Sequence, residues 1–276
     1  MNTVRLEIEN RKGLKLQAYL ELPANQKPNH FAIFAHCFSC NSNFNAVKNI
    51  SRSLSNHGFG VLRFDFTGLG KSEGEFTESH FSANVDDLID VNNYLAKHYK
   101  APELLVGHSL GGYIALAFAE KHPQKVKGLC LMNATSNEDT SERKALRLRA
   151  NKMITSNFRN MVRISFANLF GPKSKTFFKK EIELAVSEAL LTPMQGYIAA
   201  QEGMQLRANR NHVLTDNSFK KLLIIGKKDP VLDFETSLNE AKKTNSAIVV
   251  FQNGHMPHIE NKLALNDTLK EFMKIC

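Results

Sequence analysis

Gly107-His108-Ser109-Leu110-Gly111-Gly112 is the most informative stretch of this sequence. It follows an apolar run at 103–106 that is typical of a buried strand, and it precedes an alanine-rich run at 113–119 that is typical of a buried helix. Between a strand and a helix, Gly-x-Ser-x-Gly holds the serine in a sharp, strained turn with its hydroxyl above the sheet edge. The helix directs its first N–H groups at the same place, where they stabilise negative charge. We therefore predict that Ser109 is a nucleophile.

The length and composition predict one large domain. The chain has 276 residues, of which 42% are hydrophobic, and this suits a single α/β domain that carries an insertion. No apolar run approaches the roughly 20 residues that span a bilayer. Residues 1–7 alternate polar and apolar side chains and contain no signal-peptide core. We therefore predict a cytoplasmic protein without an integral membrane segment.

The chain carries a formal net charge of +9. Such a balance occurs in proteins that bind nucleic acid, membrane surfaces or anionic substrates. Lysines are spread along the whole sequence, however, and no motif combines basic and aromatic residues. We therefore predict a solvated basic surface and no nucleic-acid partner. A homodimer is one arrangement that the sequence allows.

Strand and helix patterns alternate along most of the chain. Residues 4–9 and 15–22 alternate with period two around Arg11-Lys12-Gly13 and predict an antiparallel hairpin. Largely apolar runs, typical of buried parallel strands, follow at 30–35, 60–66, 103–106, 126–132, 222–226 and 247–251. Helical patterns separate them at 44–57, 80–98, 113–119, 234–243 and 261–275. This alternation predicts an α/β fold with a doubly wound, mostly parallel sheet.

The pattern changes in the second half of the chain. Over residues 135–218 there is no strand signal, and apolar residues recur at helical spacing beside arginines and lysines. Breaks at Gly171-Pro172 and Thr192-Pro193 predict at least three helices. We predict a core formed by residues 1–134 and 219–276, with a helical cap inserted between two late strands. The cap should lie at the carboxyl edge of the sheet, above the active crevice.

Two residues are predicted to activate the serine. A serine hydroxyl is a weak nucleophile that needs a neighbouring base, and the base needs an acid to orient it. In this topology the acid and then the histidine follow the serine in chain order, each at the carboxyl end of a strand. Asp229 and His255 directly follow the last two predicted strands. We predict that Ser109, Asp229 and His255 form a catalytic triad. The alternatives are Asp233 for the acid and His258 for the base.

An oxyanion hole is predicted beside the nucleophile. The tetrahedral intermediate needs at least two N–H donors for its oxyanion. One should be the backbone N–H of Leu110, the residue after the serine. The other should come from the loop after the strand at 30–35, where the N–H of Phe38 is preferred and that of Cys37 is the alternative. The ring of Phe38 is also predicted to line the acyl pocket.

Over essentially its whole length the sequence resembles the α/β-hydrolase family of serine hydrolases. His36-Cys37-Phe38 resembles the family's His-Gly-x oxyanion motif. Residues 65–72, Asp-Phe-Thr-Gly-Leu-Gly-Lys-Ser, resemble its Asp-x-Arg-Gly-x-Gly-x-Ser loop, and residues 254–260 resemble its catalytic-histidine segment. Residues 36–40 and 63–74 look closer to one branch, in which the hydrolase domain is often fused to an osmotically inducible, peroxidase-like domain. We expect the hydrolase domain to stand alone here.

The resemblance implies hydrolysis of carboxylic esters or related acyl compounds, without a metal or an organic cofactor. A serine nucleophile argues against dehalogenases and epoxide hydrolases, which use aspartate at that position. We therefore predict a serine carboxylesterase that acts on a small-molecule acyl ester through an acyl-enzyme. The alternatives are an acyl-CoA thioesterase, a lipase, a peptidase, or a non-catalytic small-molecule-binding protein of the same fold.

The sequence departs from the family pattern at two positions. Cys37 replaces the usual glycine, and Thr67 replaces the usual arginine. A Cβ at position 37 restricts the φ angles that the oxyanion loop can adopt. Asp65 and Ser72 are expected to shape their loop rather than to react.

The inserted helices supply further candidates for substrate contact. Besides His108 in the core, we predict that Met153 and Met161 contact the substrate, with Phe166 and Phe170 as further candidates for the pocket wall. The alternative is ordinary packing of these side chains against the sheet. The arginine-rich start of the insertion suggests attraction of an anionic substrate, such as an acyl-coenzyme A thioester.

Cys37 and Cys40 have the C-x-x-C spacing of redox pairs and metal ligands. No second C-x-x-C follows, so a structural zinc site is not expected. Either the two cysteines form a redox-sensitive disulfide, or the pair has no role. Such a disulfide would distort the oxyanion loop and switch activity off.

Overall fold

The computed structural model of the protein describes residues 2–38, 40–75 and 80–276. Ser39, which belongs to the predicted oxyanion loop, lies outside the described residues. The strands are Asn2–Glu9 (β1), Lys15–Leu22 (β2), His30–Ala35 (β3), Phe59–Phe64 (β4), Leu104–His108 (β5), Gly128–Met132 (β6), Lys220–Gly226 (β7) and Ala247–Phe251 (β8).

The helices of the core flank these strands, and the helices of the insertion follow one another without a strand between them. In chain order the α-helices are Asn45–Ser55 (α1), Phe81–His98 (α2), Leu110–Lys121 (α3), Ser141–Ala167 (α4), Ser174–Phe177 (α5), Lys179–Ala189 (α6), Met194–Gln205 (α7), Asn211–Thr215 (α8), Phe234–Lys243 (α9), Pro257–Glu260 (α10) and Lys262–Lys274 (α11). None of the described helices combines the length and the apolar character needed to cross a membrane.

One sheet contains these eight strands, in the order β1-β2-β4-β3-β5-β6-β7-β8. β2 pairs antiparallel with β1 and with β4, and all other neighbours are parallel. β4, β5 and β6 are buried along their whole length, as expected of strands covered by helices on both faces. The predicted α/β fold with a mostly parallel, doubly wound sheet is therefore confirmed.

The strand order reverses between β3 and β5, and this reversal positions the site. From β3 the chain winds toward β4, and from β5 it winds the other way toward β8. The loops after β3 and β5 therefore leave the same edge side by side, with Ala35 paired to Gly107 at the last register position. Crevices at such a reversal are the usual ligand sites of open α/β sheets.

Helices α4 to α8 lie between β6 and β7, within the segment 135–218 for which the sequence predicts a cap. α4 packs against both α6 and α7. It is not a continuous helix, because Asn157 has non-helical angles of φ −153° and ψ 54°. The break divides α4 into two halves whose buried faces need not share one helical phase.

Candidate active site

Ser109 lies in a strained turn between β5 and α3. Its φ and ψ are 53° and −119°, a combination that residues with a side chain rarely adopt. Its N–H donates to the Met132 carbonyl of β6 at 3.0 Å. Glycine is required beside it, since a Cβ at Gly107 would lie 2.5 Å from the Gly111 carbonyl oxygen. The turn holds the half-buried Ser109 at the carboxyl edge of the sheet.

His255, in the loop after β8, contacts Asp229, in the loop after β7. His255 Nδ1 lies 2.8 Å from Asp229 Oδ2, and the two side chains are only 3% and 1% exposed. The His255 N–H donates to the Leu169 carbonyl at 2.8 Å, so the insertion also fixes this loop. Because Asp229 occupies Nδ1, Nε2 is the ring nitrogen left for another partner.

Asp229 accepts hydrogen bonds at both carboxylate oxygens. Oδ2 also accepts from Asn133 Nδ2 at 2.8 Å, and Oδ1 accepts from the N–H groups of Val231 at 2.7 Å and Leu232 at 3.2 Å. Burial alone raises the pKa of the Asp229 carboxyl, but the charge and hydrogen bond of His255 and the bonds from Asn133 and Val231 outweigh it and lower the pKa. Asp229 is therefore ionised at neutral pH and accepts a hydrogen bond from a proton on His255 Nδ1.

Ser109 and His255 line one cavity of about 240 Å³. The sheet edge forms one side of it, and α4 and α7 of the insertion form the other. Phe38 lines the cavity from the loop after β3, and its ring packs edge-on against Tyr197 of α7 at 4.9 Å between centroids. The cavity therefore lies between the core and the inserted helices.

Two backbone donors near Ser109 have no protein acceptor among the described residues: the N–H groups of Leu110 and Phe38. Leu110 is the first residue of α3, where helical N–H groups lack intrahelical partners. Cys37, which stands where the family has glycine, is not among the described non-glycine residues with positive φ. The loop after β3 therefore carries a Cβ at position 37 without a positive φ.

The two thiols of this loop are buried and form no disulfide, and their Sγ atoms lie 2.7 Å apart. Their hydrogen bond lowers the pKa of Cys37 well below its ordinary value and raises that of Cys40 well above it. Cys37 also lines the cavity that contains Ser109. A shift of roughly 0.7 Å would bring the sulfurs to disulfide bonding distance.

The neighbouring loop after β4 is organised by carboxylates. Asp65 accepts from the Ser42 N–H at 2.5 Å and the Lys71 N–H at 3.1 Å, and the Ser72 hydroxyl donates to its carbonyl at 2.6 Å. Thr67, in place of the family's arginine, donates its hydroxyl to Asp87 at 3.0 Å. Asp65 and Ser72 therefore shape the loop.

A family model matches most of the chain. The family described as "Serine aminopeptidase, S33" matches residues 27–261. The chain belongs to this family. The resemblance to α/β-hydrolases is thereby confirmed, and the family name describes ancestry rather than a measured activity of this chain.

Curated relatives of this S33-family chain match it over shorter stretches. A mitochondrial palmitoyl-protein thioesterase, ABHD10, from Pongo abelii is 34% identical over 95 residues, which are 34% of this chain and only 28% of that protein. A proline iminopeptidase from Saccharolobus solfataricus is 24% identical over 245 residues, which are 80% of this chain and 77% of that protein.

Solved structures share the fold of this chain over nearly its full length. An esterase from Thermogutta terrifontis superposes with a TM-score of 0.83 at 24% identity and covers 98% of both chains. An enol-lactonase from Burkholderia xenovorans superposes with a TM-score of 0.83 at 17% identity, covering 98% of this chain and all of the other. At these identities the likeness establishes the fold alone.

The alternative acid and base of this S33-family chain lie elsewhere. Asp233 caps α9, where it accepts from the Thr236 N–H at 2.8 Å. His258 is buried behind His108, with ring centroids 4.7 Å apart, and it does not line the cavity. Burial lowers the pKa of His258 well below its ordinary value. His108 does line the cavity, and its Nε2 lies 2.9 Å from the His255 carbonyl oxygen.

The predicted contacts from the insertion need correction. Met153 is 56% exposed, and neither Met153 nor Met161 lines the cavity. Phe166 does line it, whereas Phe170 packs behind Phe166 in the core. Met153 lies before the break at Asn157 but outside the face that brings Arg143 and Arg147 to the cavity, and Met161 lies after it, where Val162 and Phe166 line the cavity instead.

Several lining residues were not predicted individually as substrate contacts, although the arginine-rich start of the insertion was predicted to attract an anionic substrate. Arg143 and Arg147 lie four positions apart on one face of α4, and Tyr113 and Tyr197 come from α3 and α7. The two arginines look like a solvated charged face in the sequence. Their four-residue spacing indicates that they share one helical face. What that face packs against depends on residues distant in the sequence, so the spacing alone does not place it at the cavity.

Proposed function

We propose that this chain is a serine hydrolase that cleaves carboxylic esters. Ser109 Oγ attacks the acyl carbon, and His255 Nε2 takes the serine proton and returns it to the leaving group. Asp229 keeps the imidazole in the required tautomer and stabilises the imidazolium that forms. Water then attacks the acyl-enzyme by the same route and releases the acid.

One observation carries this proposal: the strained Ser109 turn shares a cavity with a histidine whose Nδ1 is bonded to a buried, ionised carboxylate. Each part has a structural cost, since positive φ at a serine strains the backbone and a buried carboxylate needs compensation. Their convergence at the strand-order reversal gives a nucleophile, a base and an orienting acid in one place.

The unpaired N–H groups of Leu110 and Phe38 support an oxyanion hole in this mechanism. Residues 135–218 would act as the lid of the acyl pocket, since α4 and α7 wall the cavity. The cavity volume of about 240 Å³ is below the range usual for drug-sized ligands. We therefore propose short acyl groups as substrates.

The test is turnover of p-nitrophenyl butyrate together with labelling by a fluorophosphonate probe. Wild type should hydrolyse the ester and react with the probe. Ser109→Ala should do neither, while its circular dichroism spectrum and melting temperature stay at the wild-type values. Ser156→Ala is the matched control, because Ser156 is exposed on α4 and should leave both readouts unchanged. Turnover by Ser109→Ala would refute the nucleophile, and a folded wild type that takes no label would favour a non-catalytic binding protein.

Thioester hydrolysis is the second candidate. It is favoured by the match to a palmitoyl-protein thioesterase, although that match covers about a third of this chain. The same nucleophile and base serve both reactions. Comparing kcat/KM for butyryl esters and butyryl thioesters with similar leaving groups separates them.

A further inference from the structure

Arg143 is a charged cavity residue with unused hydrogen-bonding capacity. It is half-buried in the first turn of α4 and lines the cavity together with Ser109. Within residues 2–38, 40–75 and 80–276, its guanidinium takes part in no hydrogen bond and no ion pair. Arginine is rarely buried without a partner, because its five N–H donors need acceptors. The cavity therefore presents a cation that a ligand can satisfy.

The neighbouring arginines do not have this freedom. Arg147 Nε lies 2.5 Å from Asp139 Oδ2, and Arg207 Nη1 lies 2.6 Å from Asp139 Oδ1. Arg147 also donates to the Gln201 side-chain oxygen at 2.5 Å. The single carboxylate of Asp139 thus pairs with two guanidinium groups, so one of their two positive charges is not neutralised by it. Burial and the nearby Arg147 both lower the pKa of Arg143, so a neutralising partner would be stabilising.

No aspartate or glutamate of the described residues lines the cavity. Asp229, which carries His255, is already bonded to His255, Asn133 and two backbone N–H groups. In this cavity a cationic substrate would meet guanidinium groups and no acid. An anionic substrate would gain charge-assisted hydrogen bonds, and guanidinium matches the planar fork of a carboxylate or the oxygens of a phosphate.

A second cavity of about 220 Å³ adjoins the first, and Arg143 lines both. Its lining includes three acidic side chains, each of which already has a partner. Asp139 holds the two other arginines, Glu138 lies 3.7 Å from Lys144 Nζ, and Asp233 caps α9. These carboxylates therefore leave the Arg143 guanidinium available to a ligand at the junction of the two cavities.

We propose that Arg143 binds an anionic oxygen group, a carboxylate or a phosphate, on the substrate that Ser109 cleaves. This inference rests on the proposed function and names its substrate class: acyl compounds that carry a negative charge away from the scissile bond. The charged group lies at the junction of the two cavities, and the reacting carbonyl lies at Ser109.

Two matched substrate pairs test the proposal and identify the source of the charge. The carboxylate pair is mono-p-nitrophenyl glutarate and its methyl ester. The phosphate pair is butyryl-coenzyme A and S-butyryl-N-acetylcysteamine. Wild type should prefer the charged member of at least one pair by about 10- to 100-fold in kcat/KM, mainly through KM, as expected for a hydrogen bond between charged groups.

The variants assign the preference to one side chain. Arg143→Gln should reduce the charged-to-neutral ratio to about one, and Arg143→Lys should keep part of it because the charge remains. Arg149→Gln removes the same charge from an exposed position of the same helix and should keep the wild-type ratio. If Arg143→Gln does not fold, the wild-type and Arg143→Lys ratios decide.

Equal kcat/KM within both pairs for wild type, or a preference that survives in folded Arg143→Gln, would overturn the proposal. Turnover of neutral substrates with no charge preference leaves the proposed hydrolase function intact, so the two failures are distinct. If wild type cleaves no substrate, binding still tests Arg143. Glutarate, but not the neutral glutaramide, should then raise the melting temperature of Ser109→Ala, and the added change Arg143→Gln should abolish that shift.

Discussion

The substitution Asp229→Asn should stop the reaction while preserving the shape of the site. The two oxygens of the carboxylate accept from different donors. Oδ2 accepts from His255 and Asn133, and Oδ1 accepts from the N–H groups of Val231 and Leu232. An amide offers one oxygen and one NH2 group, so it can satisfy only one of these two sides.

In the variant, the amide oxygen of the new side chain should turn toward the two backbone donors, since leaving them unsatisfied would cost about 1–3 kcal/mol each. Asn133 can turn its unpaired Oδ1 toward the new NH2 group, whereas the backbone N–H groups have no such alternative. The NH2 group then faces His255 and can only donate to Nδ1. The proton of neutral His255 must move to Nε2, where it blocks acceptance of the serine proton. We expect kcat for p-nitrophenyl butyrate to fall about 10⁴-fold, which corresponds to roughly 5.4 kcal/mol of transition-state stabilisation.

Asp233→Asn is the matched control for this experiment. It makes the same chemical change at an exposed helix cap, where asparagine caps as well as aspartate. It should therefore leave kcat and the melting temperature near the wild-type values. A folded Asp229→Asn enzyme whose kcat stays within tenfold of wild type would show that the tautomer argument is wrong.

Three further predictions concern the surrounding structure. A thiol oxidant such as diamide should reversibly lower turnover of p-nitrophenyl butyrate by joining Cys37 to Cys40 and displacing the Phe38 N–H, and Cys40→Ser should be insensitive; an equal loss in Cys40→Ser would contradict this. Asp139→Ala leaves two buried guanidinium groups unpaired and should reduce the free energy of unfolding in urea by about 3–5 kcal/mol; a change below 1 kcal/mol would count against the network. Burial alone raises the pKa of Glu103, but hydrogen bonds and charges of neighbouring basic side chains lower it from 4.5 to about 2. Its contribution to the free energy of unfolding is therefore complete above about pH 4.5 and should be lost as the pH falls toward about 2. In Glu103→Gln, the urea concentration at the midpoint of unfolding should change less across that pH range than it does in wild type.

The core and its site residues could be predicted because their signals are local. A buried parallel strand is a short apolar run, and the residue that follows it lies at a common sheet edge whatever the rest of the chain does. Asp229 and His255 are 26 positions apart but follow adjacent strands, β7 and β8. Their hydrogen bond is a consequence of that adjacency.

The lining of the inserted helices could not be predicted in the same way. Amphipathic spacing identifies a helix and its apolar stripe, but it does not identify what the stripe packs against. Met153 looks like a lining residue and is exposed, while Arg143 looks like a surface residue and lines the cavity. The pairing of Asp139 with Arg207 joins positions far apart in the chain, and no local pattern indicates it.

The break at Asn157 divides α4 into two halves that bring different kinds of side chain to the cavity. The first half brings Arg143 and Arg147 to the cavity, and the second brings Val162 and Phe166. Because the helix is interrupted between them, a residue inserted into one half would re-orient the side chains of that half alone. Under the proposed function, binding of a charged group by the first half and contact with the acyl chain by the second half could therefore change independently of each other.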